Sequence, residues 1–278
     1  MMVSLTAGMD EVATGGQSSE GWTYCVMPST VASALQTDLR IALPGLTFHG
    51  NQFTPADEAT YRKFLEIVRT AVEAGAPSLL QFVLMSASSR DEYVAFCRRS
   101  VTAGLAKSGV SAKKMAKRVE KIAPGIGELL KRVDGWGSTN TIDLFIDDDD
   151  VTSKLKNAVA KDATGKPLTG PMLLRAVYRA FQDSLRPTAP SLGPKEIDIV
   201  KDEASALVQV ADVVGNFALA YYYSKLKTLG ATRTLKANIF ADTFGDTLDQ
   251  ATAREWGKPV GDDDIELDVG AVVLGIKS

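Results

Sequence analysis

ALVQVADVVGNFALAYYYSKLKTLG (residues 206–230), followed by ATRTLKANIFADTFGDTLDQATAREWG (residues 231–257), decides how this chain is read. On a wheel of 3.6 residues per turn, Gln209, Asp212, Asn216 and Lys227 fall in one narrow stripe. Valines, leucines, Phe217 and the run Tyr221, Tyr222, Tyr223 take nearly everything else. A helix apolar on most of its sides belongs in the middle of a bundle. After the break at Gly230, Ala237, Phe240, Phe244, Leu248 and Ala251 share one face, with Asn238, Asp242, Asp246 and Asp249 opposite. That pattern predicts a helix packed on one side, an antiparallel neighbour of the first.

The 278 residues, 45% of them hydrophobic, are enough for one large core or two modest ones. The longest apolar run, around residues 210–223, is interrupted by Asp212 and Asn216, which argues against a membrane span. The first sixteen residues carry no basic cluster ahead of an apolar block, so no secretory signal is expected and the location is read as cytosolic. Cys25 and Cys97 lie far apart among apolar residues and read as reduced core thiols.

Charge is unevenly spread. Residues 90–132 hold eleven Lys or Arg against four acids, a local +7, and residues 242–278 hold nine acids against three bases, a local −6. A basic surface for a polyanion and an acidic one for a basic neighbour are the natural reading.

Upstream of the central pair, residues 1–21 are small, polar and Gly-rich and read as a mobile arm. Residues 22–53, punctuated by Pro28, Pro44 and Gly45, read as short strands or an extended wrap. His49, the single histidine, sits in a turn-like FHGN and reads as a hydrogen-bonded or solvated loop residue with no second histidine to join it. Thr54 as N-cap, Pro55 in the first turn and Asp57 and Glu58 at the positive end of the dipole open a helix that Gly75 and Pro77 end. Residues 79–85 read as a short apolar helix, and Ser89 with Glu92 as a capping box before another. Ser111 opens a helix with Ala112, Met115, Val119 and Ile122 on its apolar side and Lys113, Lys114, Lys117, Arg118 and Lys121 spread across the other.

Four consecutive carboxylates, Asp147, Asp148, Asp149 and Asp150, suggest a metal site. Successive residues of an extended chain point in alternate directions, however, and the Gly and distal Glu of a calcium loop are missing, so N-capping by Asp150 or Thr152 is the simpler reading. Pro171 opens a helix carrying Arg175, Tyr178 and Arg179, and RPTAPSLGP (residues 186–194) reads as a lobe boundary. The tail alternates Ile265, Leu267 and Val269 with acids before AVVLGI, as an edge strand of its own domain or as an arm that pairs with another subunit.

These readings add up to an all-α fold, a helical bundle core with extended N- and C-terminal arms and few short strands. The divisions are a flexible arm (1–21), an N-terminal helical lobe (22–186), a C-terminal helical core (187–257) and a C-terminal arm (258–278).

No phosphate-loop, dinucleotide, HExxH or GxSxG pattern is present, and one histidine leaves few general-base schemes, so neither a cofactor nor an enzymatic role is expected. Cations at Arg98, Arg99, Lys113, Lys114, Lys117, Arg118 and Lys121, with Tyr178 between Arg175 and Arg179, point to sequence-independent binding of a nucleic-acid backbone.

The order YYYSKLKTLGA, spacer, IFADTFGDTLDQA resembles the coat-protein core of flexible filamentous RNA viruses, in which a tyrosine-rich helix precedes a short FD-containing helix. It covers residues 217–251; the family's Pro-Pro-Ala-Asn-Trp spacer is absent and Ala241, not Phe, precedes Asp242. The resemblance implies a subunit that polymerises helically on single-stranded RNA through its arms, in the virion and the host cytoplasm. It also implies Arg233 and Asp242 in the RNA pocket. Two other readings stand beside it: a self-assembling shell or adaptor without nucleic acid, and a carboxylate-dependent metal enzyme centred on Asp147 to Asp150.

Overall fold

The computed structural model describes residues 2–12, 20–85, 87–105, 109–162, 164–225, 227–245 and 271–277. They fall into two compact units, residues 6–87 with 202–278, and residues 1–5 with 88–201.

The chain opens with strand β1 (Ser4–Val12), whose Leu5, Ala7 and Met9 are wholly buried. The polar, Gly-rich composition behind the expectation of a mobile arm belongs to residues 13–19, outside the described residues. Strand β2 (Glu20–Pro28) lies beside β1. Helix α1 (Ser29–Ala42) comes directly after it, where an extended wrap was expected, with Leu35 and Leu39 on its buried side. Helix α2 (Glu58–Ala74) is entered through a short turn, Pro55–Asp57, with the predicted N-cap Thr54, whose side chain and Asp57 form a capping box, and ends at Gly75 as expected. Strand β3 (Leu79–Met85) replaces the predicted apolar helix. All seven of its residues are buried, and a strand covered on both faces has the same unbroken apolar run as a buried helix. β3 pairs antiparallel with β2, with Thr23 opposite Phe82.

The other unit begins with α3 (Ala87–Cys97). Helix α4 (Val110–Arg132) runs unbroken through Pro124 and buries Met115, Val119, Ile122, Ile126 and Leu129 along one side. Strand β4 (Thr141–Asp147) leads through α5 (Asp150–Lys156), the two-stranded antiparallel pair β5 (Val159–Lys161) and β6 (Pro167–Thr169), and α6 (Gly170–Leu185) to β7 (Ser191–Val200), which pairs parallel with β4. The register shifts between Ile142 and Leu144, and the Asp143 carboxylate closes the irregularity by accepting the main-chain N–H groups of Lys195 and Glu196 at 2.8 and 3.1 Å. β7 begins within the stretch expected to divide two lobes, residues 186–194, and the chain leaves this unit at Lys201.

Helix α7 (Ala206–Ser224) and helix α8 (Ala231–Phe244) are the predicted pair as far as Phe244, and Tyr221 and Phe240 meet between them at 5.4 Å; Leu248 and Ala251 of the expected apolar face, and Asp246 and Asp249 opposite, lie outside the described residues. What encloses α7 is a sheet as well as helices. A Cβ on Gly8 of β1 would lie 2.3 Å from the main-chain carbonyl of Leu207, and one on Gly215 would lie 2.2 Å from the Thr23 hydroxyl of β2. Strand β8 (Ala271–Lys277) then pairs antiparallel along β3, Leu79 opposite Lys277 and Met85 opposite Ala271. The strand of the expected C-terminal arm therefore pairs within its own chain; residues 258–270, including the acidic Asp262, Asp263 and Asp264, lie outside the described residues.

The all-α expectation is thus corrected to α/β: among the described residues, eight helices with a parallel β4–β7 pair in one unit, antiparallel β2–β3–β8 pairing in the other, and the separate β5–β6 ribbon. Helical periodicity was legible because it recurs locally. The strands pair across long sequence separations, and the central one lacks alternation.

Deleting residues 1–12 is expected to abolish cooperative unfolding, since it removes a strand with wholly buried side chains. Gly8→Ala should destabilise by about 1–3 kcal/mol or more, because the clashing atoms are main chain and cannot swing aside. Urea unfolding monitored by circular dichroism checks both, and an unchanged midpoint in the truncated protein would return residues 4–12 to the status of an arm.

Candidate functional site

The residues singled out for RNA binding have different fates in the fold. On α4, Lys113, Lys114, Lys117 and Lys121 are exposed, while Arg118 is half-buried and donates to the Lys154 carbonyl at 3.3 Å. Arg99 is exposed; Arg98 forms an ion pair with Glu120 at 2.7 Å. Arg175 and Arg179 both converge on Glu196, which offsets one of their two charges. Tyr178 is not a stacking platform: it is wholly buried, burial pushes its phenol pKa up, and its hydroxyl donates to the Pro190 carbonyl at 2.6 Å.

The pocket implied by the resemblance is not assembled. Arg233 and Asp242 lie nine residues apart on α8, which a helix places about 13 Å apart along its axis and on opposite faces. Asp242 instead pairs with Arg62 of α2 at 2.9 Å.

The carboxylate run is structural too. Asp149 caps α5 by accepting from the N–H groups of Val151 and Thr152, both at 2.7 Å, one residue before the predicted cap. Asp148 faces Lys156. Cys25 and Cys97 are buried free thiols, as expected.

The polar stripe of α7 carries a constellation that the sequence reading passed over. Residues 47–53, between α1 and α2, lie against that stripe and are held by it atom by atom. The N–H of Phe48 donates to Gln209 Oε1 at 3.3 Å, and the N–H of Gly50 to Asp212 Oδ2 at 3.0 Å. Gly50 itself has no room for a side chain, since a Cβ there would stand 2.5 Å from that of Asn216. Tyr61 of α2 donates to the His49 carbonyl at 2.7 Å, and Lys236 of α8 to the Gly50 carbonyl, also at 2.7 Å.

This clasp places the only imidazole of the chain against two carboxylates. His49 Nδ1 is 2.7 Å from Asp202 Oδ2 and 3.6 Å from Asp212 Oδ2. Among the described residues, this is the one group of three His, Cys, Asp or Glu side chains whose ligand atoms come within 4.8 Å of one another. The His49 side chain keeps 29% exposure, against 10% for Asp202 and 14% for Asp212, so the carboxylates are enclosed and the ring faces outward.

Burial raises the pKa of Asp212, opposed by the Gly50 N–H, His49, Asn216 and Lys236. Burial also lowers that of Lys236, with Asp212 opposing and Arg233 adding to the shift. No protein-family model and no curated protein matches the chain.

A buried acid whose folded pKa is raised contributes stability that is fully present below its ordinary value of 3.8 and is lost as pH rises through the raised value. The stability of the native protein relative to Asp212→Asn should therefore fall as pH rises from about 3.8 and level off above the raised value. Urea midpoints of the two proteins across that range test this. A difference independent of pH would mean that Asp212 titrates normally.

Proposed function

We propose that the chain binds single-stranded RNA along its phosphate backbone, irrespective of sequence, through the exposed lysine face of α4. The observation that carries this reading is a ridge of like charges. Lys113, Lys117 and Lys121 succeed one another at i,i+4 spacing, with Lys114 beside them, and all four are exposed. Each like-charge pair at that spacing costs a helix about 0.2–0.5 kcal/mol. The acid within the ridge, Glu120, does not relieve it, because its carboxylate receives Arg98 and the Thr102 hydroxyl from the opposite side. A helix that keeps several repulsive pairs, with Glu120 engaged by Arg98 and Thr102, is suited to a polyanion that supplies counter-charge.

Helix α4 contains no aromatic residue, and Tyr178 is withdrawn into the core, so neither offers a platform for base stacking. Affinity then rests on charge neutralisation, which is blind to base identity. A role that covers RNA without reading it is the part of the viral coat-protein expectation that this surface supports. Polymerisation through terminal arms receives no such support, since β1 and β8 are both paired within the chain.

Four lysines on a single strand should give a log-log salt slope of about −3, from roughly −0.7 per neutralised phosphate. Replacing Lys113 and Lys117 with glutamine should halve that slope while leaving the unfolding midpoint within about 0.5 kcal/mol of the parent. Fluorescence anisotropy with homopolymeric and mixed-sequence RNA gives the slopes, and urea unfolding the midpoint. A flat salt dependence, or a slope unmoved by the double substitution, removes the reading.

A further inference from the structure

We infer that His49, Asp202 and Asp212 form a binding site for one divalent transition-metal ion, an activity separate from the lysine face of α4. Three side chains from three segments converge: the loop before α2, the short turn Asp202–Ala204, and α7. Metal ligands about 2.1 Å from an ion stand roughly 3.0 to 3.4 Å from one another in octahedral and tetrahedral sites. The Nδ1 to Oδ2 separations of 2.7 and 3.6 Å bracket that span, and all three ligand atoms lie within 4.8 Å of one another.

The electrostatics point the same way. Two enclosed carboxylates are turned toward one imidazole nitrogen, so two negative charges and a neutral-nitrogen donor face one point. A cation there would take one ligand atom from each of the three side chains. Lys236, the nearest fixed positive charge from α8, is committed to the Gly50 carbonyl.

The ligands are also held from behind, as metal ligands characteristically are. Asp212 Oδ1 accepts from Asn216 Nδ2 at 2.8 Å while Oδ2 accepts from the Gly50 N–H. The main chain at Asp202 is fixed by Gln209 Nε2 at 2.9 Å, and that at His49 by Tyr61. One imidazole with two carboxylates and no thiolate favours Mn²⁺, Fe²⁺ or Zn²⁺ over Ca²⁺, which takes oxygen ligands only. Three protein ligands leave coordination positions for water or an exogenous ligand, as in catalytic rather than structural sites.

The test uses the full chain, stripped with chelator and titrated with MnCl₂ or ZnCl₂ by calorimetry and thermal unfolding, with Co²⁺ absorption reporting nitrogen ligation. One equivalent should bind saturably and raise the melting temperature. Asp202→Asn and His49→Ala should each weaken binding by more than the roughly 10–100-fold expected for Asn216→Ala, which removes an outer support. The double variant Asp147→Asn, Asp148→Asn should bind as the parent does. Absence of saturable binding in the parent overturns the inference. So does unchanged affinity in Asp202→Asn, or loss of binding confined to the Asp147, Asp148 variant. If His49→Ala fails to fold, the Co²⁺ spectrum of the parent still decides, because a site without imidazole lacks the nitrogen-ligated signature.

Discussion

Everything in the larger unit depends on how closely α7 lies on its sheet. At Gly8 the helix main chain stands where a side chain would be, and at Gly215 the sheet's Thr23 hydroxyl stands where the helix's own side chain would be. These two contacts, one with the glycine on the strand and one with it on the helix, set the height and rotation of α7 over β1 and β2. With that rotation set, Val210, Val213, Val214 and Phe217 enter the core, and the stripe of Gln209, Asp212 and Asn216 meets residues 47–53. The apolar residues thus provide the stability, and the geometry they impose determines which atoms the polar stripe can reach.

The loop on that stripe has no regular secondary structure beyond a short helical turn at Gly50–Gln52, so its main-chain groups need partners from elsewhere. They find them in side chains of α2, α7 and α8, while Phe48 and Phe53 anchor the loop from below. Phe48 stacks on Phe64 at 4.5 Å, and Phe53 meets Tyr61 and Phe217 edge-on at 5.1 and 5.2 Å. Leaving a buried main-chain group unpaired costs about 1–3 kcal/mol, so removing any one of these partners is felt locally. His49 is held through the main chain on both sides and through its own carbonyl, in addition to the contact of its ring with Asp202. Its position is therefore firmer than its partial exposure would suggest.

How much of this was legible in the sequence depends on how far each feature reaches. The N-cap at Thr54, the stop at Gly75 and the helices of residues 206–244 are local patterns, and all appear in the structure. β3 was misread because burial on both faces erases alternation, and α1 because Pro28 closes strand β2 and leads straight into the helix with no intervening turn. The candidate site was half visible. Gln209, Asp212 and Asn216 stood out as a polar stripe on an apolar helix, but the loop that meets them lies about 160 residues away and carries no motif, with Phe48 and Gly50 separated from their acceptors by 161 and 162 positions. A polar stripe on an otherwise enclosed helix signals that something polar must be covered there. Composition alone does not say what.

The basic residues of the smaller unit divide by a comparison of energies. Met115, Val119, Ile122, Ile126, Leu129 and Leu130 of α4 are essentially inaccessible to solvent, and at about 1.5–3 kcal/mol each they hold the helix in place by on the order of 10 kcal/mol. Against that, repulsion along the lysine ridge amounts to roughly 1 kcal/mol. The fold therefore tolerates the ridge without requiring it, whereas Arg98 pairs with Glu120, and Arg175 and Arg179 share Glu196, within the unit. A count of cations along the sequence gives both groups equal weight. Only packing separates cations that the fold pairs with acids from cations it leaves exposed, and Lys113, Lys114, Lys117 and Lys121 belong to the second group.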